Sequence, residues 1–188
     1  MENYLRDHLV SMGPAAAKSF HDILHTYEDL AAQYGLWDAA SVIKEYGCSD
    51  DGFIDFRAWL IAQGKDVYMN ALRDPDTLAN VEPYGDCCFE CMSYVGDYAY
   101  EQLTGRSAYD EMEPDRMEDL RDELAADIVY KDGIQYPRDP KDLPQFLPRL
   151  CEKYGGPERF QVASSAWNFD LHEIRRLLDE GKAQDRAA

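Results

Sequence analysis

The 188-residue sequence predicts an all-α protein, a single compact bundle of roughly seven to eight helices with a long Pro-containing loop and a C-terminal helix. Three observations predict it. Apolar side chains recur at spacings of three and four along most of the chain. Gly, Pro and Ser/Asp stand where such runs stop and start. The one short strand-like run, Arg159 to Ala163, has no evident partner. At 45% hydrophobic and 12% aromatic, the chain is too apolar for a disordered acidic tail.

From Pro14 to Gly35 the apolar stripe is Phe20, Ile23, Leu24, Tyr27, Leu30, Ala31 and Tyr34, with Gly35 as its stop. A short helix from about Leu36 to Tyr46 follows, ended by Gly47. Ser49 then suits an N-cap, and Asp50 and Asp51 a first turn, where the helix dipole favours negative charge. That helix is expected to reach about Leu72, weakened at Gly64. Asp74-Pro75 reads as a cap followed by proline at the first helical position, opening a short helix to Val81.

Asp86 to Leu103 reads as a helix with Cys88, Cys91, Val95, Ala99 and Leu103 on one stripe. Residues 114–128 form another, with Met117, Leu120, Leu124 and Ile128 inward. Tyr130 to Pro148 is a proline-rich loop that wraps the body. Asp170-Leu171-His172-Glu173 resembles a capping box that opens a last helix through Ile174, Leu177 and Leu178. The expected organisation is a helical domain over residues 1–155 and a helical extension over 156–188 packed on it.

Thirty-seven acids against 19 bases give a formal charge of −18. Nucleic-acid backbones and anionic membranes need clustered Lys/Arg, so neither is an expected partner. No apolar run approaches a bilayer span and no signal-like leader opens the chain, so a cytoplasmic protein is expected. Five cysteines, an odd number, without a regular framework fit reduced thiols. The charge is uneven. Residues 110–127 hold nine acids and two bases, whereas 149–188 balance seven with seven. Asp110, Glu111, Glu113, Asp115, Glu118, Asp119, Asp122 and Glu123 therefore read as a solvated face or a docking surface for a basic protein.

Few constellations carry chemistry. Gly47 to Ala58 has the look of part of an EF-hand, but Gly47 and Ala58 stand where calcium needs carboxylates. His21, His25 and Glu28 share the polar side of one helix, where a solvated surface is the expectation and a metal site of two imidazoles and a carboxylate is the weaker alternative. Cys88 and Cys91 form a Cys-x-x-Cys with no second pair, and core packing is expected for them, with metal or redox work as the weaker alternative. No metal and no cofactor is expected. Arg57 is the most informative residue, since it falls on the apolar stripe Phe53, Phe56, Leu60, Val67 and Ala71. Its charge must find oxygen partners, with Asp50 and Asp38 nearest in sequence. It either fixes helix register in an ion pair or grips a carboxylate or phosphate in a cleft walled by Trp37 or Trp59.

The blocks Leu36-Trp37-Asp38-Ala39-Ala40, Gly47-Cys48-Ser49-Asp50-Asp51-Gly52-Phe53, Phe56-Arg57-Ala58-Trp59-Leu60-Ile61-Ala62-Gln63-Gly64 and Asp74-Pro75-Asp76-Thr77-Leu78-Ala79 carry a resemblance. In order and spacing they resemble a bacterial family known as domain of unknown function 4240. The similarity is densest from Leu36 to Ala79 and weaker from about Phe20 to Tyr154. The resemblance implies no activity. It does concentrate on Trp37 to Gln63, and His21, His25 and the cysteine cluster lie outside its pattern.

Two functions lead, and a metal site from His21/His25 or the cysteines is a third possibility. The leading expectation is a non-catalytic binding or regulatory protein that meets a basic protein partner through its acidic, tyrosine-rich surface. The alternative is an enzyme or anionic-ligand binder using a cleft around Trp37, Asp38, Ser49, Asp50, Asp51, Arg57, Trp59 and Gln63. No nucleophile–base pair or phosphate loop of recognised spacing accompanies that cleft.

Overall fold

A computed structural model describes residues 2–44, 47–83 and 85–157. The expected strand at Arg159–Ala163, the last helix and the 156–188 extension lie almost entirely outside the described residues. Nine α-helices and no strand occur among the residues described, so the chain is all-α. No helix among them is long and apolar enough to cross a membrane.

The first helix, α1 (Glu2–Met12), ends at Gly13, and Pro14 opens α2 (Pro14–Leu30). Here the structure corrects the expected boundary. Gly35 is not a stop but sits inside α3 (Tyr34–Ile43), because a turn at Ala31–Gln33 already breaks the chain. The absence of a Cβ at Gly35 lets Ile134 and Phe146 press on the helix. The Ser49 cap opens α4 (Asp50–Ala62), its Oγ accepting the Gly52 N–H at 3.1 Å.

The helix expected to run to Leu72 is two helices. Gly64 has φ 94°, a conformation that separates α4 from α5 (Lys65–Arg73) and redirects the chain. Asp74 caps a 3₁₀ turn, Pro75–Asn80, as the Asp-Pro pair predicts. Next, α6 (Glu90–Thr104) starts later than expected. Cys87 has φ 56° and Cys88 precedes the helix, so neither belongs to its stripe. After a 3₁₀ turn at Tyr109–Glu111 comes α7 (Pro114–Ala125), whose Met117, Leu120 and Leu124 are half-buried against α2. The proline-rich segment is not wholly loop. It contains a 3₁₀ turn (Pro140–Asp142), α8 (Leu143–Phe146) and the start of α9 (Pro148–Tyr154).

Two apolar clusters hold these pieces. The larger joins α3, α4, α5, α8 and α9 through Leu36, Val42, Phe56, Leu60, Leu72, Leu143 and Leu150. The smaller joins α1, α2 and α6 through Leu9, Ala17, Val95, Ala99 and Tyr100. Between them α2 packs on α1, α4, α6 and α7. It is thus covered on its polar side as well as its apolar one.

Candidate functional site

The junction of α3 with α4 builds a groove. The Trp37 indole N–H donates to the Cys48 carbonyl at 2.8 Å, which pins the start of α3 to the loop before α4. Three rings then stack in parallel. Tyr34 and Trp37 have centroids 6.3 Å apart, and Trp37 and Phe53 lie 5.2 Å apart. They and Ala32, Gln33, Asp50, Ile54 and Arg57 line an open groove of about 370 Å³. Tyr34 and Ile54 are 47% and 44% exposed, so apolar surface faces solvent here.

Arg57 is half-buried at this wall, with its guanidinium carbon 5.2 Å from the Phe53 centroid. Its Nη1 donates to the Glu28 backbone carbonyl at 2.8 Å, while Nε is buried without a partner. The expected partners were Asp50 and Asp38, and the structure corrects both. Asp38 accepts from Arg138 at 3.2 Å, the same guanidinium that donates to the Gly133 carbonyl and rests on the Phe146 ring. Burial raises the Asp38 pKa, with Arg138 opposing it. Asp50 lines the groove but forms no ion pair among the described residues, since it lies two turns from Arg57 on an exposed first turn.

Trp37, Asp50 and Arg57 are thus brought together, and the rest of the expected cleft is not. Ser49 serves as the cap and Asp51 is exposed on the first turn. Trp59 is 4% exposed in the core, and the Gln63 amide donates back to the Trp59 carbonyl. Sequence reasoning missed Tyr34, Phe53 and Ile54 as lining. Their spacing from Trp37 and Arg57 is helical, but only the crossing of α3 over α4 turns them toward one groove.

On the opposite side of Arg57's carbonyl partner lies a polar cluster. His21, Asp22 and Glu28 are 0%, 1% and 5% exposed, so the expected solvated face is in fact buried. The cover is α6, whose Ser93, Gly96 and Asp97 let it approach α2 closely. A Cβ at Gly96 would lie 2.9 Å from His21 Cα. That small-polar spacing on α6 is the sequence signal for the burial. His21 Nδ1 faces Asp22 at 3.2 Å, and His25 Nδ1 faces Glu28 at 3.0 Å. Ser93 donates to the other Glu28 oxygen at 2.5 Å, and Lys18 to Asp22 at 2.6 Å. Burial lowers the His21 pKa, against the pull of Asp22. Asp97 accepts from Ser107 Oγ and the Ala108 N–H, anchoring the turn that lays Tyr109 against both imidazoles.

The cysteines occupy another end. No disulfide joins any of the five, and Cys88 donates to Asp55 at 3.0 Å. Burial pushes the Cys48 and Cys87 thiols up to about 11. Cys91 is half-buried near the start of α6 and Cys87, not Cys88 or Cys91, is the buried one. Among the described residues no group of three or more His, Cys, Asp and Glu side chains is arranged to hold a metal ion.

The acidic face is present on α7 and the turn before it. Asp110, Glu113, Asp115, Glu118, Asp119, Asp122 and Glu123 are exposed. Glu111 is withdrawn from that face, because Arg106 at 2.6 Å and the Tyr100 hydroxyl at 2.5 Å both bind it.

A family model described as Protein of unknown function (DUF4240) matches residues 1–102, just over half of the chain and including both the groove and the histidine cluster except Tyr109. No curated protein matches the chain. No solved structure matches it either.

Proposed function

This chain belongs to that family, and from this premise we propose that it is a binding protein whose α3–α4 groove takes a flat, singly anionic ligand. The observation that carries the reading is Arg57. Of its five N–H donors one is spent on the Glu28 carbonyl, and the guanidinium borders a groove of small-molecule size. A carboxylate or phosphate is the complement of that fork, and the stacked Tyr34, Trp37 and Phe53 rings suit a planar body. Asp50 lies seven residues before Arg57, about 10 Å along the helix. It disfavours a second negative charge at that end, which selects against polyanions. The role is non-catalytic: the groove's side chains offer recognition and no nucleophile–base pair.

The test is a matched pair of probes, 1-naphthoate and its neutral amide, followed by ligand-observed NMR on the full chain. The anion is expected to show saturation transfer and the amide much less. Equal transfer to both, or none to either, overturns the proposal.

A second reading rests on α7 and the turn before it, where seven exposed acids have no cation at ion-pair distance among the described residues. It is the docking of a basic protein partner, with an association that weakens as salt rises. A salt-independent partner, or none retained at low salt, removes it. Five cysteines with no disulfide among them support a reducing compartment, the cytoplasm of a bacterium, rather than an oxidising one.

A further inference from the structure

Arg57 is not the only charge on the groove. Along α4, Asp50, Phe53, Ile54 and Arg57 stand at i, i+3, i+4 and i+7, the spacing of one helix face, and all four line the groove. The order on that face is carboxylate, ring, guanidinium. Arg57 reaches back toward the Phe53 ring, its guanidinium carbon 5.2 Å from the centroid. Asp50 stands on the other side of Phe53, about one turn nearer the helix start. Trp37 stacks on Phe53 at 5.2 Å with the planes 8° apart, and Tyr34 stacks on Trp37. The groove therefore has an aromatic wall with opposite charges at its two ends.

Asp50 has no cation at ion-pair distance among the described residues, whereas Asp38 on α3 has Arg138. Its neighbour Asp51 shares the first turn and the same favourable helix dipole, yet points out to solvent away from the groove lining. The dipole accounts for an acid at either position. Only Asp50 is placed to meet a bound molecule.

We propose that the ligand of this groove is a flat zwitterion, an aromatic carboxylate with a protonated amine at its far end, and that Asp50 selects the amine. This rests on the reading of Arg57 as the carboxylate anchor. Seven residues of helix set the Cα atoms of Asp50 and Arg57 about 10 Å apart. An α-amino acid, with both charges on one carbon, cannot reach the two residues together. A two-ring body substituted at opposite ends can. The amine then donates to the Asp50 carboxylate in a charge-assisted hydrogen bond. That pair is open to water, so it is modest and sensitive to salt. It sets the preference among aromatic carboxylates and leaves the bulk of the affinity to Arg57 and the rings. The same residue rejects a ligand that carries a second acid at that end.

Calorimetry on the full chain compares 6-(aminomethyl)-2-naphthoate with 6-ethyl-2-naphthoate, an isostere that keeps the acid and the rings but lacks the positive charge. At low salt the amine is expected to bind wild type about threefold to fivefold more tightly, an advantage that shrinks as salt rises. Asp50→Asn is expected to erase the advantage while still binding the ethyl compound, which shows that the fold and the groove persist. Asp51→Asn makes the same change in net charge on the same helix turn and is expected to keep the advantage. The proposal is overturned if wild type binds the two compounds equally, a comparison that needs no variant. It is also overturned if Asp51→Asn loses the advantage as fully as Asp50→Asn, for then the acid-rich surface as a whole attracts the amine. Binding of the ethyl compound without a preference for the amine removes the zwitterion and leaves the groove reading standing. Binding of neither compound removes both.

Discussion

Replacing Gly96 by alanine tests the close approach of α6 to the backbone of α2. The added Cβ would stand 2.9 Å from both Cα and Cβ of His21 and 3.0 Å from its backbone N. Two of these three atoms are backbone, so no side-chain rotation relieves the overlap, and α2 and α6 must part by about half an ångström. Overpacking of this kind costs about 1–3 kcal/mol, and contact with backbone argues for the upper end. Alanine returns about 1 kcal/mol in helix propensity. The net loss is therefore about 2 kcal/mol, which moves a urea midpoint by roughly 1 M at a slope of about 2 kcal/mol/M. Gly35→Ala is the control. Its Cβ would meet Ile134 Cγ1 at 2.8 Å and the Phe146 ring at 3.0 Å, side-chain atoms that can shift. Paired urea melts should place Gly96→Ala well below Gly35→Ala. A Gly96→Ala midpoint equal to wild type, or no lower than that of Gly35→Ala, refutes the account of helix approach.

Asp76 is 3% exposed and accepts the N–H groups of Arg149 at 3.1 Å and Leu150 at 2.9 Å, capping α9 from a distant turn. Asp76→Ala should cost about 3 kcal/mol in urea unfolding, and Asp76→Asn visibly less because one acceptor survives. With Cys48 and Cys87 pushed up to about 11, their thiolate fraction at pH 8 is about 0.1%. In the native state iodoacetamide should label them about a hundredfold slower than a thiol of ordinary pKa, a difference that vanishes in urea and that peptide mapping resolves. Asp119 lies four residues from both Asp115 and Glu123 on the exposed face of α7. Asp119→Lys should raise the thermal midpoint at low salt and leave it unchanged in 1 M salt.

The helices were legible wherever a local signal sufficed. The Ser49 cap, the Asp74-Pro75 turn and the inward residues of α7 follow from side chain–backbone chemistry within a few residues. Gly35 and Gly64 show the limit. Gly35 ends one apolar stripe and Gly64 lies near the centre of another, yet the first is packed inside a helix and the second breaks the chain. What separates them is the distant Ile134 and Phe146. The groove was half legible, because Arg57 on an apolar stripe announced an unusual environment. Its partner, a carbonyl 29 residues away, was not, since no pattern marks which backbone oxygen a long side chain will reach. The histidine cluster was hidden by the same wheel that revealed the stripe. A polar face reads as solvated until Ser93, Gly96 and Asp97 are recognised as the surface that covers it.

Binding of 1-naphthoate to wild type and to Arg57→Gln, measured by calorimetry on the full chain, tests the groove most directly. The glutamine still reaches toward the Glu28 carbonyl with an amide but presents no charge. Loss of a charge-assisted pair predicts roughly tenfold to hundredfold weaker binding, with an unchanged unfolding midpoint as evidence that the fold persists. Equal affinity in the two proteins would contradict the assignment of Arg57 as the anchor.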